Sequence, residues 1–381
     1  MSVQTIAGLE PTLPSSWYLE PGIFRLEREH IFLSEWVCVA REEQIPAPGD
    51  HLVLDVQGEN ILVVRNPAGE LRAFYNVCRH RGARLCPMPG EDDSVLALKG
   101  GIVARRNIVC AYHAWTYDLD GRLVSAPHLQ SAAGGSLGDV RLYPVGIATW
   151  GGFVFVNLTP DGAPSFEDRI REIAARYVRY PLADLRIVRT ITYDVAANWK
   201  VLCENYNECY HCGPVHPELC RVVPAFRDQG GASLDWERGV PHREGATTFT
   251  WSGESTRRSF PGLSGDEQVR HKGELVYPNL FVSLAREHVA AFVLRPDGPG
   301  RTFVDCHFLF EPHEIQQPGF DPSDAIDFWH LINRQDWVVC GRVQQGMSAR
   351  VHRQGVYAPM EDANLDIRRY VRDRIGHHVR E

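Results

Sequence analysis

Residues 76–86 read NVCRHRGARLC and residues 110–128 read CAYHAWTYDLDGRLVSAPH, and together they decide the fold. Each stretch sets one cysteine and one histidine at the end of a β-type run. Cys78 and His80 follow LRAFYNV, and Cys110 and His113 fall at and after NIVCAY. Two such pairs on neighbouring hairpin tips would offer four ligands to one site. A Cys2His2 set fits zinc or an iron–sulfur cluster. Zinc sites usually run C-x2–4-C followed by H-x3–5-H. The order here is C-x-H and then C-x2-H, which suits a two-iron unit with thiolates on one iron and imidazoles on the other. Core cysteines beside exposed histidines would be the bland reading. Four residues in this order, each at a strand end, argue against it.

Working outward, residues 45–157 carry short β-type runs (HLVLDV, NILVVRN, LRAFYNV, NIVCAY, GGFVFVNL) separated by Gly and Pro clusters, the signature of a small antiparallel β domain. Residues 1–44 read as a helical cap packing on the larger domain, with a helix within 20–36 after Pro21. Residues 158–381 form that larger domain. Helical spacing is expected over 166–180, 197–211 and 324–347, with strands at LRIVRTITYDV, ELVYPNLFVSL, HVAAFVLRP and RTFVDCHFLFEP. The expected fold class is therefore α+β: a small antiparallel β domain, then an antiparallel sheet covered by helices.

With 381 residues the chain is long for a single core, and its net charge of −8 gives no basic footprint for nucleic acid. No apolar run approaches the roughly 20 residues that span a bilayer. The first residues lack a basic start followed by an apolar stretch, so a cytoplasmic location is expected. A reducing compartment argues against disulfides among the ten cysteines. Cys38, Cys86, Cys306 and Cys340 read as small buried side chains.

A second constellation lies in residues 198–217, NWKVLCENYNECYHCGPVHP. A helix is expected to run to about His211, with Gly213-Pro214 ending it and turning His216 back towards His211. Two histidines and a carboxylate form a facial triad that leaves positions open on iron(II). Two carboxylates compete for the third place. Glu208 is three residues before His211, on the same helix face. Asp336 sits in DFWHLINRQDWVVCGRVQQGM with Trp329, Ile332, Val339, Cys340 and Val343 at helical spacing around it. A carboxylate on such an apolar stripe needs a strong partner, and a metal would be one. Cys209 and Cys212 make a C-x2-C that taken alone would suggest zinc; Cys203, Cys209 and Cys212 read better as packing residues.

The two loops with Cys78, His80, Cys110 and His113, and the segment ENYNECYHCGPVHP, resemble the Rieske and catalytic domains of ring-hydroxylating oxygenase alpha subunits. The resemblance covers residues from about 30 to about 375. It implies a Rieske [2Fe–2S] cluster with Cys78 and Cys110 on one iron and His80 and His113 on the other. It places a mononuclear Fe(II) on His211, His216 and Asp336. Glu208 then becomes the acid that bridges this iron to a Rieske histidine of a neighbouring subunit, which implies a homotrimer or a multiple of it. Asn205 is expected beside the open face of the iron. One feature departs from the family: 29 residues separate His80 from Cys110, and the extra length, within 86–107, is expected as a surface excursion.

The reaction implied consumes O2 and electrons from a separate NAD(P)H-dependent flavin/iron–sulfur reductase, with a ferredoxin as a further candidate carrier. No G-x-G-x-x-G in this chain suits a dinucleotide. Glu208 in place of aspartate, ENYNECYHCGPVHP, and the C-terminal GVYAPMEDANLDIRRYV resemble the branch that oxidises betaines, carnitine and choline. The expected chemistry is N-demethylation or C–H hydroxylation of a quaternary ammonium compound; that branch usually lacks a small companion subunit. Phe249, Trp251, Tyr277, Phe281 and Phe292 are the candidate pocket aromatics, since aromatic faces hold such cations. Hydroxylation or dihydroxylation of an aromatic compound is the alternative. A Rieske electron carrier without chemistry of its own is the alternative of another class, and the chain's length and His211/His216/Asp336 argue against it.

Overall fold

The computed structural model of the chain describes residues 8–91, 95–96, 99–129, 139–232 and 234–379. It divides into two compact units, Phe32–Arg169 and a second made of Met1–Ile31 with Ile170–Glu381. Among the described residues, no helix is long and apolar enough to cross a membrane.

The unit Phe32–Arg169 is built of β-strands. They are β1 (Val37–Arg41), β2 (His51–Val56), β3 (Glu59–Arg65), β4 (Leu71–Tyr75), β5 (Gly101–Val103), β6 (Asn107–Val109), β7 (Thr116–Asp118), β8 (Leu123–Ser125), β9 (Pro144–Trp150) and β10 (Phe153–Asn157). One antiparallel sheet has the order β1-β10-β9-β4-β3-β2, the other β5-β6-β7-β8. Local chemistry sets these pairings. Gln57 and Gly58 both have positive φ (55° and 85°), the two-residue turn whose twist matches a hairpin, and β2 folds onto β3 there. At Gly121 (φ +80°) a Cβ would stand 2.6 Å from the Phe74 ring, so only glycine fits. The core gathers Leu62, Val64, Phe74, Ile108, Tyr117 and Leu123 around Cys78 and Cys110.

The other unit holds a sheet of β11 (Arg186–Val195), β12 (Val240–Pro241), β13 (Arg270–Val276), β14 (Leu280–Leu284), β15 (His288–Pro296) and β16 (Thr302–Phe310), ordered β11-β16-β15-β14-β13-β12 and antiparallel throughout. Every residue of β14 is buried, and all but one of β15, as befits central strands beneath helices. The helices Trp199–Tyr206 and Ser323–Met347 pack on each other and on this sheet. The α+β expectation holds.

Four local expectations are corrected. The cap expected over 1–44 stops earlier, because Val37–Arg41 pairs with Phe153–Asn157 as a sheet edge in the other unit. The helix within 20–36 is α-helical over Pro21–Glu27 and then widens into a π-turn over Arg28–Phe32. ELVYPNLFVSL is two strands, not one. Pro278 cannot donate to a ladder, so the chain turns between Val276 and Leu280. The helix expected to reach His211 ends at Tyr206, and Gly213-Pro214 lies inside a one-turn helix, Cys212–Val215. Of the excursion expected over 86–107, residues 92–94 and 97–98 lie outside the described residues. Its far end forms the hairpin β5–β6.

The helix Trp199–Tyr206 is anchored by a buried charge pair. Asn198 caps it, accepting from the Lys200 backbone N–H at 3.0 Å. The Lys200 ammonium pairs with Glu27, both fully buried, and Glu27 also accepts from Trp199 Nε1 at 2.9 Å. Removing one member leaves a buried charge alone. Lys200→Met should therefore cost about 3–5 kcal/mol in chemical unfolding, and Lys200→Met with Glu27→Gln should recover most of it. Equal loss in the single and double variants would contradict this.

Candidate metal centres and active-site cavity

In the β unit, Cys78 and His80 lie in the loop after β4, and Cys110 and His113 in the loop between β6 and β7. Both loops are tight turns fastened at the cysteine. The Cys78 N–H donates to Ala83 O at 2.8 Å, and the Gly82 N–H donates to Cys78 O at 3.0 Å. Ala114 N–H donates to Cys110 O at 2.9 Å, with Ala114 in a left-handed conformation (φ 57°). Gly82 takes φ 75°, the conformation a glycine accepts without strain. The two thiols are buried and the two imidazoles exposed. The imidazole centroids are 4.7 Å apart, and His80 stacks on Trp115 at 4.8 Å. The two thiols share one hydrogen bond, which draws Cys78 down and, with burial, pushes Cys110 up, so the first negative charge of the pair settles on Cys78. Tyr117 Oη stands 3.3 Å from Cys78 Sγ and accepts from the Arg79 N–H at 3.1 Å. Among the described residues, no three of these ligand atoms converge within single-ion range. Buried thiols at one end and exposed imidazoles at the other fit a two-iron cluster with its histidine iron towards solvent.

In the other unit, His211, His216 and Asp336 bring ligand atoms within 4.8 Å of one another. His216 follows the one-turn helix Cys212–Val215, and Asp336 projects from the helix Ser323–Met347. His216 Nε2 is 2.8 Å and His211 Nε2 3.3 Å from the same Asp336 oxygen. The far nitrogens are already engaged. His211 Nδ1 lies 2.6 Å from Glu208 Oε1, and His216 Nδ1 2.7 Å from Gln335 Oε1. Those partners are acceptors, so each Nδ1 carries its proton and each Nε2 presents a lone pair. Two lone pairs facing a carboxylate repel unless a cation lies among them, which makes the set fit for a metal. Glu208 is not on a helix. It reaches His211 from the turn after Tyr206 and also accepts the His211 backbone N–H at 3.1 Å. Asn205 Nδ2 lies 3.3 Å from His211 Nε2.

A cavity of about 330 Å³ opens on this trio. Phe249, Tyr277, Phe281 and Phe292 line it, as do Asn205 and Glu208. Trp251 does not: it is 52% exposed and packs edge-on against Phe328. The sequence put it beside Phe249, but the loop turns it outwards. Sequence reasoning missed Trp236, His271, Trp329 and Gln335. Gln335 precedes Asp336 directly, and a carboxamide there was the available hint that a histidine ligand would need an Nδ1 partner. Cys203, Cys209 and Cys212 are buried thiols, and Cys209 and Cys212 belong to the cavity wall. Replacing His216 with Ala should remove one of three donors. Metal analysis of purified protein should then find about one iron per chain fewer, with the visible absorption of the cluster retained. Unchanged iron content would contradict the assignment.

Residues 35–144 match the family described as Rieske [2Fe-2S] domain, and residues 182–377 match that described as ring hydroxylating alpha subunit (catalytic domain). The chain is 37% identical over 347 residues to the carnitine monooxygenase oxygenase subunit of Acinetobacter pittii, covering 90% of this chain and 86% of that one. It is 30% identical over 377 residues to the glycine betaine monooxygenase oxygenase subunit of Chromohalobacter salexigens, covering 91% and 82%. Among solved structures, the quaternary ammonium Rieske monooxygenase CntA in complex with L-carnitine is similar at a TM-score of 0.70 and 25% identity, covering 96% of both chains. The two ligand loops, the three-donor cluster and these likenesses agree: the chain belongs to the Rieske-type ring-hydroxylating oxygenase alpha subunits, the oxygenase components of multicomponent systems that carry a [2Fe–2S] cluster and a mononuclear iron.

Proposed function

We propose that this oxygenase attacks a C–H bond next to the quaternary nitrogen of a small ammonium compound, by N-demethylation or hydroxylation. One observation carries the reading. The cavity that contains His211, His216 and Asp336 is walled by Phe226, Trp236, Phe249, Phe281, Phe292 and Trp329. A quaternary nitrogen has no N–H to donate, so it is held by aromatic faces. Asp336 and Glu208, on the same wall, would offset the charge of the iron, which leaves the aromatic faces to hold the cation. The relatives named for glycine betaine and carnitine support the same class.

Iron held by His211, His216 and Asp336 would supply the O2-activating chemistry, fed with electrons through a cluster on Cys78, His80, Cys110 and His113. The protein's own groups prepare the site. Glu208 and Gln335 hold the Nδ1 protons and so aim both Nε2 atoms inward. Gln335 is itself oriented, donating from Nε2 to Glu218 at 3.2 Å. Asn205 places a carboxamide donor beside the histidine that faces the cavity. The aromatic walls exclude water, which strengthens every electrostatic contact within. His80 and His113 are exposed on their unit, and Glu208 grips His211 on the other. This supports Glu208 as the carboxylate that links the iron histidine to a Rieske histidine of a neighbouring subunit in a homotrimer. An NAD(P)H-dependent flavin/iron–sulfur reductase, directly or through a ferredoxin, would reduce the cluster.

A single-turnover test checks the substrate class. Reduced protein is mixed under air with glycine betaine, carnitine, choline and a set of aromatic acids, and products are read by mass spectrometry. Formaldehyde or an oxidised amine is expected. A hydroxylated ring, with every ammonium compound untouched, would move the protein to arene oxidation. For Glu208, the expectation is that Glu208→Gln keeps full iron and cluster content while cluster reoxidation during turnover slows by roughly 10- to 100-fold. An unchanged rate would leave Glu208 as a packing residue.

A further inference from the structure

Trp329 forms part of the cavity wall, and its ring lies 5.2 Å from Phe249 and 6.0 Å from Phe292. Behind it runs a buried polar chain that the metal centre does not use. Trp329 Nε1 is 3.0 Å from His288 Nε2, and His288 Nδ1 is 3.1 Å from Glu287 Oε1. Glu287 also accepts from Thr248 Oγ1 at 2.8 Å. His288 and Thr248 are 0% exposed, Glu287 is 1% and Trp329 6%.

Donor and acceptor roles in this chain are forced. An indole N–H can only donate, so His288 Nε2 must accept. The single imidazole proton therefore sits on Nδ1 and is donated to Glu287, and His288 is neutral. The chain ends on a carboxylate. Its donors, Thr248 and His288, favour the ionised form against burial. Arg257 Nη2 stands 3.5 Å from Glu287, but Arg257 gives its shorter bonds, 2.8 and 3.1 Å, to Asp324. Arg286 Nε is 3.7 Å from the other Glu287 oxygen. The carboxylate is thus stabilised without a close bidentate partner.

From this geometry, and resting on the ammonium reading above, we infer that Glu287 and His288 are positioning residues that fix the Trp329 indole and enrich its face with electron density, so that this wall selects a cation over a neutral group of the same shape. Linked hydrogen bonds polarise one another, and a donor bonded to an imidazole that is itself bonded to a carboxylate pushes density into its ring. The attraction of an aromatic face for a cation grows with that density. Neither Glu287 nor His288 is among the residues lining the cavity, so their effect passes through Trp329.

Shape and charge can be separated with isosteric pairs. Glycine betaine and 3,3-dimethylbutyrate differ in having nitrogen or carbon at the head, as do γ-butyrobetaine and 5,5-dimethylhexanoate. Calorimetric titration of the iron-loaded full-length protein gives the preference for the cation in each pair. Glu287→Gln keeps the hydrogen-bond geometry and removes the charge. It should lower that preference about three- to tenfold, with affinity for the neutral partner unchanged. Trp329→Phe, which removes the N–H altogether, should lower it by at least as much and serves if Glu287→Gln does not fold. Equal weakening of both members of a pair, or no change in either variant, would overturn the inference. Wild-type protein that shows no preference for either cation would overturn the ammonium reading itself, and this inference with it.

Discussion

Two imidazole lone pairs directed at one carboxylate oxygen repel one another, and a cation is what reconciles them. The pieces around His211, His216 and Asp336 serve that constraint. Glu208 and Gln335 take the Nδ1 protons and so leave both Nε2 lone pairs available for ligation. The buried Lys200–Glu27 pair and the Asn198 cap hold the helix that leads into the turn carrying Glu208 and His211. The sheet beneath gives the same centre its aromatic wall, since Phe281 and Phe292 face each other across the β14–β15 ladder. In the β unit a parallel logic holds. Two thiols sink into a hydrophobic core and two imidazoles stay at the surface, so electrons have an exposed end at which to enter or leave.

Much of this was legible in the sequence because it is local. C-x-H and C-x2-H at strand ends need only a tight turn to become ligand pairs, and turns are written in neighbouring residues. Asp336 stood out because a carboxylate among Trp329, Ile332, Val339, Cys340 and Val343 has no inexpensive explanation; Trp329, Ile332 and Cys340 are buried, while Val339 is half-buried and Val343 is exposed. What the sequence hid was non-local or depended on small differences in backbone path. The helix before His211 stops at Tyr206, and no proline or glycine marks that point. Trp251 and Phe249 are two residues apart, yet one faces solvent and the other the cavity. The contact of Trp329 with His288 spans 41 positions, and that of His216 with Gln335 spans 119. Neither can be read without the register of the sheet and the placement of the long helix.

The cavity gains its chemistry from both ends. One end carries the metal donors and their acidic partners, the other an aromatic face backed by a buried carboxylate. A cationic head would be drawn by the aromatic face, and its methyl groups would lie towards the metal end, where the carboxylates offset the charge of the ion. An uncharged ring would find the same aromatic shape but no use for the charge.

The measurement that bears most directly on the account is a crystal structure of protein soaked with glycine betaine, with data collected at the iron absorption edge. One anomalous peak bonded to His211, His216 and Asp336 is expected, with a second, two-iron feature held by Cys78, Cys110, His80 and His113, and the trimethylammonium head against Trp329 and Phe249. An iron peak bound by Glu208 with Asp336 turned away, metal on Cys209 and Cys212, or betaine bound outside the aromatic cavity would contradict it.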